Sequence, residues 1–228
     1  MGDYYFLYDI LAYVNSFFLI IYSIISIVVF KKSKKKIFKI IALYLMFSFL
    51  FDFLINILFF TPKIEIISDT LFLDILYRLG ELLIVGYLIN NYWLKSKMFW
   101  LLICVAGLFL IYDLFTYRER GLLNYVAYAQ ITANLLLIVL IVTNLLKQLK
   151  DTKPFSVTNQ MVCMVFLAYF SIHLVYTVVQ NFIINQSFTN KSFVVFYSSY
   201  AILHILYYFS LAFIVFKNSK NLFKFYKV

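Results

Sequence analysis

Asp74, Arg78 and Glu81 stand four and then three residues apart inside an apolar stretch, which stacks one base between two acids on a single helical face. The acid-then-base order of Asp74 and Arg78 is the favoured one along a helix, and the guanidinium fork can bridge both carboxylates. An ionisable side chain near the centre of a bilayer costs at least about 2.5 to 3.5 kcal/mol, so such residues mark functional sites by default. The bland alternative is a triad that neutralises itself and pins its helix to its neighbours. Asp52, Asn134, His173 and His204 interrupt other apolar runs in the same way. At about 1.5 Å of rise per residue, Asp52 and Arg78 fall roughly 12 Å from the outer edge of their runs, and Glu81, Asn134, His173 and His204 roughly 15 to 16 Å. The seven residues Asp52, Asp74, Arg78, Glu81, Asn134, His173 and His204 are therefore expected to form an outward-facing ligand-binding site, six of them at one depth, with Asp74, Gln130, Gln180, Asn15 and Asn56 somewhat nearer the outside.

Asp52, Asp74 and Glu81 face Arg78 alone, and this acidic surplus calls for protonated carboxyls, imidazolium at His173 and His204, or a small cationic ligand entering from outside. Asp9 and Asp113 are expected close to the outer headgroup level, within reach of interfacial water. His173 and His204 with Asp52 or Glu81 have the donor types of a three-ligand zinc site, but no H-x-x-x-H pair supports one. No catalytic residue, metal or cofactor is assigned.

The elements that must position these side chains follow from composition. Of 228 residues, 64% are apolar and 13% charged, with a mean hydropathy of +0.92, leaving too little polar surface to cover a soluble core. Apolar runs at about 5–30, 37–60, 70–92, 98–117, 124–146, 161–184 and 193–216 are each long enough for a helix to cross roughly 30 Å of hydrocarbon. The fold class expected is all-α: a polytopic bundle of seven transmembrane helices, one domain over 1–228 with no soluble part. Pro62 and Pro154, the only prolines, fall between runs, so the helices should be unbroken. Gly80 and Gly86 are the pair that could let helices approach closely. The alternation of runs also permits a three-plus-one-plus-three repeat.

Lysine sets the expected direction. Lys31, Lys32, Lys34, Lys35, Lys36 and Lys39 follow the first run, Lys95 and Lys97 the third, Lys147, Lys150 and Lys153 the fifth, and Lys217, Lys220, Lys224 and Lys227 the last. Only Lys63, Arg118, Arg120 and Lys191 follow even-numbered runs. Because cytoplasmic loops are rich in Lys and Arg, the N-terminus is placed outside and the C-terminus inside. The net charge of +10 is read as these lysines meeting lipid headgroups, with no nucleic-acid partner. The start lacks a basic n-region and a cleavage site, so the first run should stay in the mature chain. Cys104 and Cys163 read as small packing residues, and Asn185 and Asn190 head glycosylation patterns in an outside loop.

The inner half of the runs is dry, with Ser48, Asn90, Asn91 and Asn144 as the main polar exceptions. The polar layer with a dry inner half implies a receptor-like sensor subunit of the plasma (cytoplasmic) membrane, with an acidic outward pocket and a separate partner protein carrying the output. Three alternatives belong to other classes: a small-solute or proton-coupled transporter linking Glu81 and His204, a lipid-modifying enzyme using His173 and His204, and a structural subunit of a membrane complex. The layout resembles that of rhodopsins, but the seventh run has no lysine for a retinal Schiff base. It also resembles small sugar carriers, whose Pro-Gln signature is absent.

Overall fold

A computed structural model describes residues 2–60, 66–120, 126–150, 156–185 and 190–218. Pro62, Lys63, Pro154, Lys153 and the tail bearing Lys220, Lys224 and Lys227 lie outside the described residues, as do the side chains of Asp9, Asn56, Asn185, Asn190 and Lys191. Seven α-helices fill the apolar runs: α1 (Gly2–Lys32), α2 (Lys36–Phe60), α3 (Ile66–Ile89), α4 (Lys97–Arg120), α5 (Tyr128–Lys150), α6 (Val157–Asn185) and α7 (Asn190–Asn218). No strand occurs among the described residues. Helices are what such a sequence must form, since hydrocarbon offers no partner to a backbone N–H or C=O and only an internal ladder satisfies both.

All the helices except α3 contain stretches long and apolar enough to cross a membrane, and only 28% to 44% of each stretch is buried against protein. The rest, such as Leu101, Val105, Leu108 and Phe115 on α4 or Leu206, Phe209 and Phe213 on α7, is exposed and suited to lipid. The chain is thus a multi-pass helical membrane protein. Helix α3 is comparably long, and what separates it from the others is Asp74, Arg78 and Glu81.

Lysines close several helices, with Lys31 and Lys32 in the last turn of α1, Lys147 and Lys150 in that of α5, and Lys217 in that of α7. There they meet the negative end of the helix dipole. Between α1 and α2 only three residues intervene. The Ser33 N–H continues the α1 ladder to the Val29 carbonyl (2.8 Å), while its hydroxyl oxygen accepts the Lys35 N–H (3.2 Å).

Two compact units make up the chain. The first comprises Met1–Asp52, Ser156–Val165 and Phe188–Val228, and the second Phe53–Phe155 and Phe166–Ser187. Helices α1 and α7 both belong to the first. In the first unit α1 packs on α7, with Leu19, Val29, Ile41, Leu45, Leu211 and Val215 buried.

In the second unit α3, α4 and α5 pack mutually. Gly86 lets α3 and α4 approach closely: a Cβ built there would lie 3.0 Å from Ile103 Cδ1, whereas at Gly107 it would meet Leu79 at an ordinary 3.6 Å. These two contacts make α3 and α4 antiparallel and fix their register.

Helix α3 ends in a π turn, Asn90–Leu94, closed by Lys95 in the left-handed region (φ 54°). The Lys95 N–H reaches the Asn90 carbonyl (2.6 Å), and the fully buried Asn90 amide accepts the Ser96 N–H (3.0 Å) and donates to the Ser96 carbonyl (2.9 Å). Asn90 is therefore spent on the turn. Ser48 likewise bonds the Tyr44 carbonyl of its own helix (3.0 Å), so neither residue wets the inner half. One expectation fails at Cys104, which is exposed rather than packed, because it falls beside Leu101, Val105 and Leu108 on the outer face of α4; Cys163 is buried.

Candidate functional site

The ionic centre of the second unit grows from the buried seam of α3. Ile75, Arg78, Leu82, Val85 and Ile89 follow one another at three- and four-residue steps and are all at most 4% exposed. That rhythm belongs to a helix face pressed into protein, and Arg78 occupies a position an apolar residue would normally hold. Its Nη1 donates to Glu81 Oε2 at 2.6 Å, with Glu81 only 1% exposed. Its Nε lies 3.6 Å from Asp74 Oδ1, an ionic contact beyond hydrogen-bond length. The guanidinium also lies over the Tyr77 ring (5.1 Å to its centroid), and the Tyr77 hydroxyl donates to Glu81 Oε1 at 3.4 Å.

The neighbouring helices supply uncharged partners on equally regular faces. On α5, Gln130, Asn134, Leu137, Ile141, Asn144 and Gln148 form one buried stripe. Gln130 Nε2 donates to Asp74 Oδ2 at 3.0 Å. On α6, Tyr169, His173 and Thr177 recur every fourth residue and are buried. Arg78 Nη1 reaches the Tyr169 hydroxyl at 3.5 Å, and the Tyr169 ring packs on that of His173 (5.4 Å). His173 Nδ1 lies 2.8 Å from Asn134 Nδ2 and 3.2 Å from Thr177 Oγ1. These contacts tie His173 of α6 to Asn134 of α5 and to its own helix.

The network has one accessible member. The Asp74 side chain is 36% exposed while Arg78, Glu81, Asn134 and His173 are at most 4% exposed. Asp74 contacts Arg78, which in turn contacts the fully buried Glu81 carboxylate and Tyr169 on α6.

Asp74, Arg78, Glu81, Asn134 and His173, five of the seven residues singled out in the sequence, thus lie in the second unit and share this chain of contacts. Asp52 and His204 belong to the first. There Asp52 accepts the Ser16 hydroxyl at 2.7 Å and the Asn15 amide at 3.4 Å, which joins α1 to α2. His204 lies between the rings of Tyr200 (4.4 Å) and Tyr208 (5.7 Å) on α7. Next to it, Tyr207 donates to the Tyr44 hydroxyl at 3.1 Å.

Sequence reading overlooked Tyr77, Tyr169 and Thr177, and it placed Asp113 wrongly. Tyr169 and Thr177 stand four residues either side of His173, a spacing that would have disclosed them. Asp113, expected to reach interfacial water, is 2% exposed because it continues the buried Ile103, Ala106, Leu110 stripe of α4. The α3–α4 register brings it near the level of Asp74, five residues before Leu79 on one helix and six beyond Gly107 on the other. Among the described residues no group of three or more His, Cys, Asp or Glu side chains is placed to hold a metal ion.

No family model, curated protein or solved structure matches this chain. Its function must be argued from the site alone.

Proposed function

We propose that the chain is a receptor-like sensor subunit, crossing its membrane seven times with the N-terminus outside and the lysine-bearing ends in the cytoplasm. A small cation, organic or a proton, arrives from outside at Asp74, competes with Arg78 for that carboxylate, and changes how α3 packs on α5 and α6. Output passes to a separate protein at the basic cytoplasmic face. The observation carrying this reading is that Asp74, 36% exposed, shares Arg78 with Glu81, which is 1% exposed. An accessible charge wired to an inaccessible one is what converts occupancy into packing, since a ligand shifts a conformational equilibrium only by its differential affinity for the two states. Of the four polar residues of the inner half, Ser48 bonds within its own helix and Asn90 bonds the backbone of Ser96 in the adjoining turn, which supports sensing over passage of a solute, because a permeation path there would need wettable side chains.

The test uses purified protein in nanodiscs, challenged with protons, alkali cations and small alkylammonium ions while amide exchange is followed in α3, α5 and α6. At least one cation should change exchange in these helices, and Asp74→Asn should abolish the change without unfolding the protein. No cation-dependent change in the wild type, or an equal one in Asp74→Asn, defeats the proposal. Accumulation of the same cation inside vesicles would convert it to a carrier.

A further inference from the structure

At the opposite end of the second unit lies a set of buried donors that the ionic network does not use. Lys147, in the last turn of α5, donates from Nζ to the carbonyls of Trp93 (3.1 Å) and Leu94 (3.4 Å), which fastens α5 to the π turn. Beside this clasp the indole Nε1–H of Trp93 is buried and, among the described residues, meets no acceptor. The residue after Lys147 is Gln148, 7% exposed, and neither its Oε1 nor its Nε2 has a partner among the described residues. Buried indole and carboxamide groups ordinarily find partners, and each one left unmade costs the desolvation of the group. Two such residues, one in the π turn and one in the last turn of α5 next to the Lys147 that clasps that turn, form a pattern that a ligand explains.

The chemistry there is that of an anion site. Lys95, Lys97, Lys147 and Lys150 are all exposed at this end. No acidic residue occurs from Leu82 through Tyr112 or from Tyr128 through Lys150. The turn presenting Lys95 and Lys97 is held by both Asn90–Ser96 bonds and by the left-handed Lys95, so its lysines project from a fixed base. Donors from an indole, a carboxamide and ammonium groups, with no carboxylate among the described residues of the Asn90–Lys97 turn and the last turns of α5, match phosphate oxygens. Trp and Lys ending an apolar helix belong at the depth of the headgroups, where phosphate is abundant.

We propose that the Asn90–Lys97 turn, with Trp93 and with Lys147 and Gln148 of α5, binds the phosphate of an anionic membrane lipid. This site stands apart from Asp74 and does not depend on the sensing reading.

Protein in phosphatidylcholine nanodiscs is compared with protein in discs containing added phosphatidylglycerol, reading lipid retention by native mass spectrometry and stability by thermal melting. The wild type should retain phosphatidylglycerol selectively and melt higher in its presence. Gln148→Met, which keeps the shape and removes both polar atoms, should weaken retention roughly tenfold or more, as loss of a hydrogen bond to a charged group does. Trp93→Phe should act in the same direction. The double variant Lys95→Gln with Lys97→Gln touches only exposed positions and should lower retention without affecting folding. Retention of phosphatidylglycerol by Gln148→Met equal to that of the wild type, with melting at or above the wild type in both discs, would overturn the site, because it would show an unpaired amide whose removal is a relief. Equal stabilisation by inorganic phosphate in phosphatidylcholine discs would overturn the lipid assignment in favour of a soluble phosphate.

Discussion

Arg78 and Glu81 are a buried pair, and a buried pair is weak evidence for stability until one partner is removed. Arg78→Ala leaves Glu81, at 1% exposure, without its guanidinium, and should cost about 3 to 5 kcal/mol in a reversible unfolding assay in detergent. Replacing both, as Arg78→Met with Glu81→Leu, should be neutral or stabilising by up to about 4 kcal/mol, because two desolvated charges give way to packing. If that double variant is stable and has lost its cation response, the pair is kept for signalling. A stable double variant with full response would take the pair out of the mechanism. Asn134 acts on a smaller scale: Asn134→Leu removes the donor that faces His173 Nδ1, and should cost about 1 to 3 kcal/mol in the same assay.

Helix α3 owes its place to its neighbours more than to its own composition. Each of Asp74, Arg78 and Glu81 costs about 2.5 to 3.5 kcal/mol in a lone helix near the bilayer centre, and partners on α5 and α6 offset this only after assembly. A segment containing α3 alone should therefore insert poorly in a membrane-insertion assay, and the same segment with all three residues changed to Leu should insert as α4 does. Efficient insertion of the unaltered segment would contradict this account. Contact with α4 is equally specific. At Gly86 a Cβ would meet the flexible end of Ile103, so Gly86→Ala should be mild, whereas Gly86→Val should destabilise by roughly 1 to 3 kcal/mol and be relieved in part by Ile103→Ala. At the far end of α3, Asn90→Ala strips both bonds from the Ser96 backbone and should loosen the π turn, seen as faster amide exchange at Ser96.

Across the whole chain, apolar helices, exposed apolar faces and lysine-closed ends agree on a lipid environment. Orientation rests on the lysines. A reporter active only in the cytoplasm should therefore work after Val228 and in the Ser33–Lys35 turn, and fail between α4 and α5. Activity between α4 and α5 would invert the proposed topology and place Asp74 on the cytoplasmic side. The two compact units put Asp74, Arg78, Glu81, Asn134 and His173 in one body and Asp52 and His204 in the other. Substitutions within the second body should couple in double-mutant cycles, since its members touch or share partners.

Seven helices were legible in the amino-acid sequence because hydrocarbon leaves the backbone one solution, and about 20 apolar residues between charged punctuation can be counted without coordinates. The Asp74–Arg78–Glu81 stack was legible for a similar reason, since helical periodicity fixes which neighbours share a face. Depth could also be counted along each run, which is why Asn134 and His173 were selected together. Depth says nothing about azimuth, however. Whether two polar groups at one level meet depends on how each helix is rotated and which helix it lies beside, and that is set by side-chain packing such as Gly86 on Ile103. Tertiary structure alone therefore decided that Asn134 bonds His173, that Tyr169 carries Arg78 to α6, that Asp113 is buried, and that Asp52 bonds Ser16 while His204 packs on Tyr200 and Tyr208.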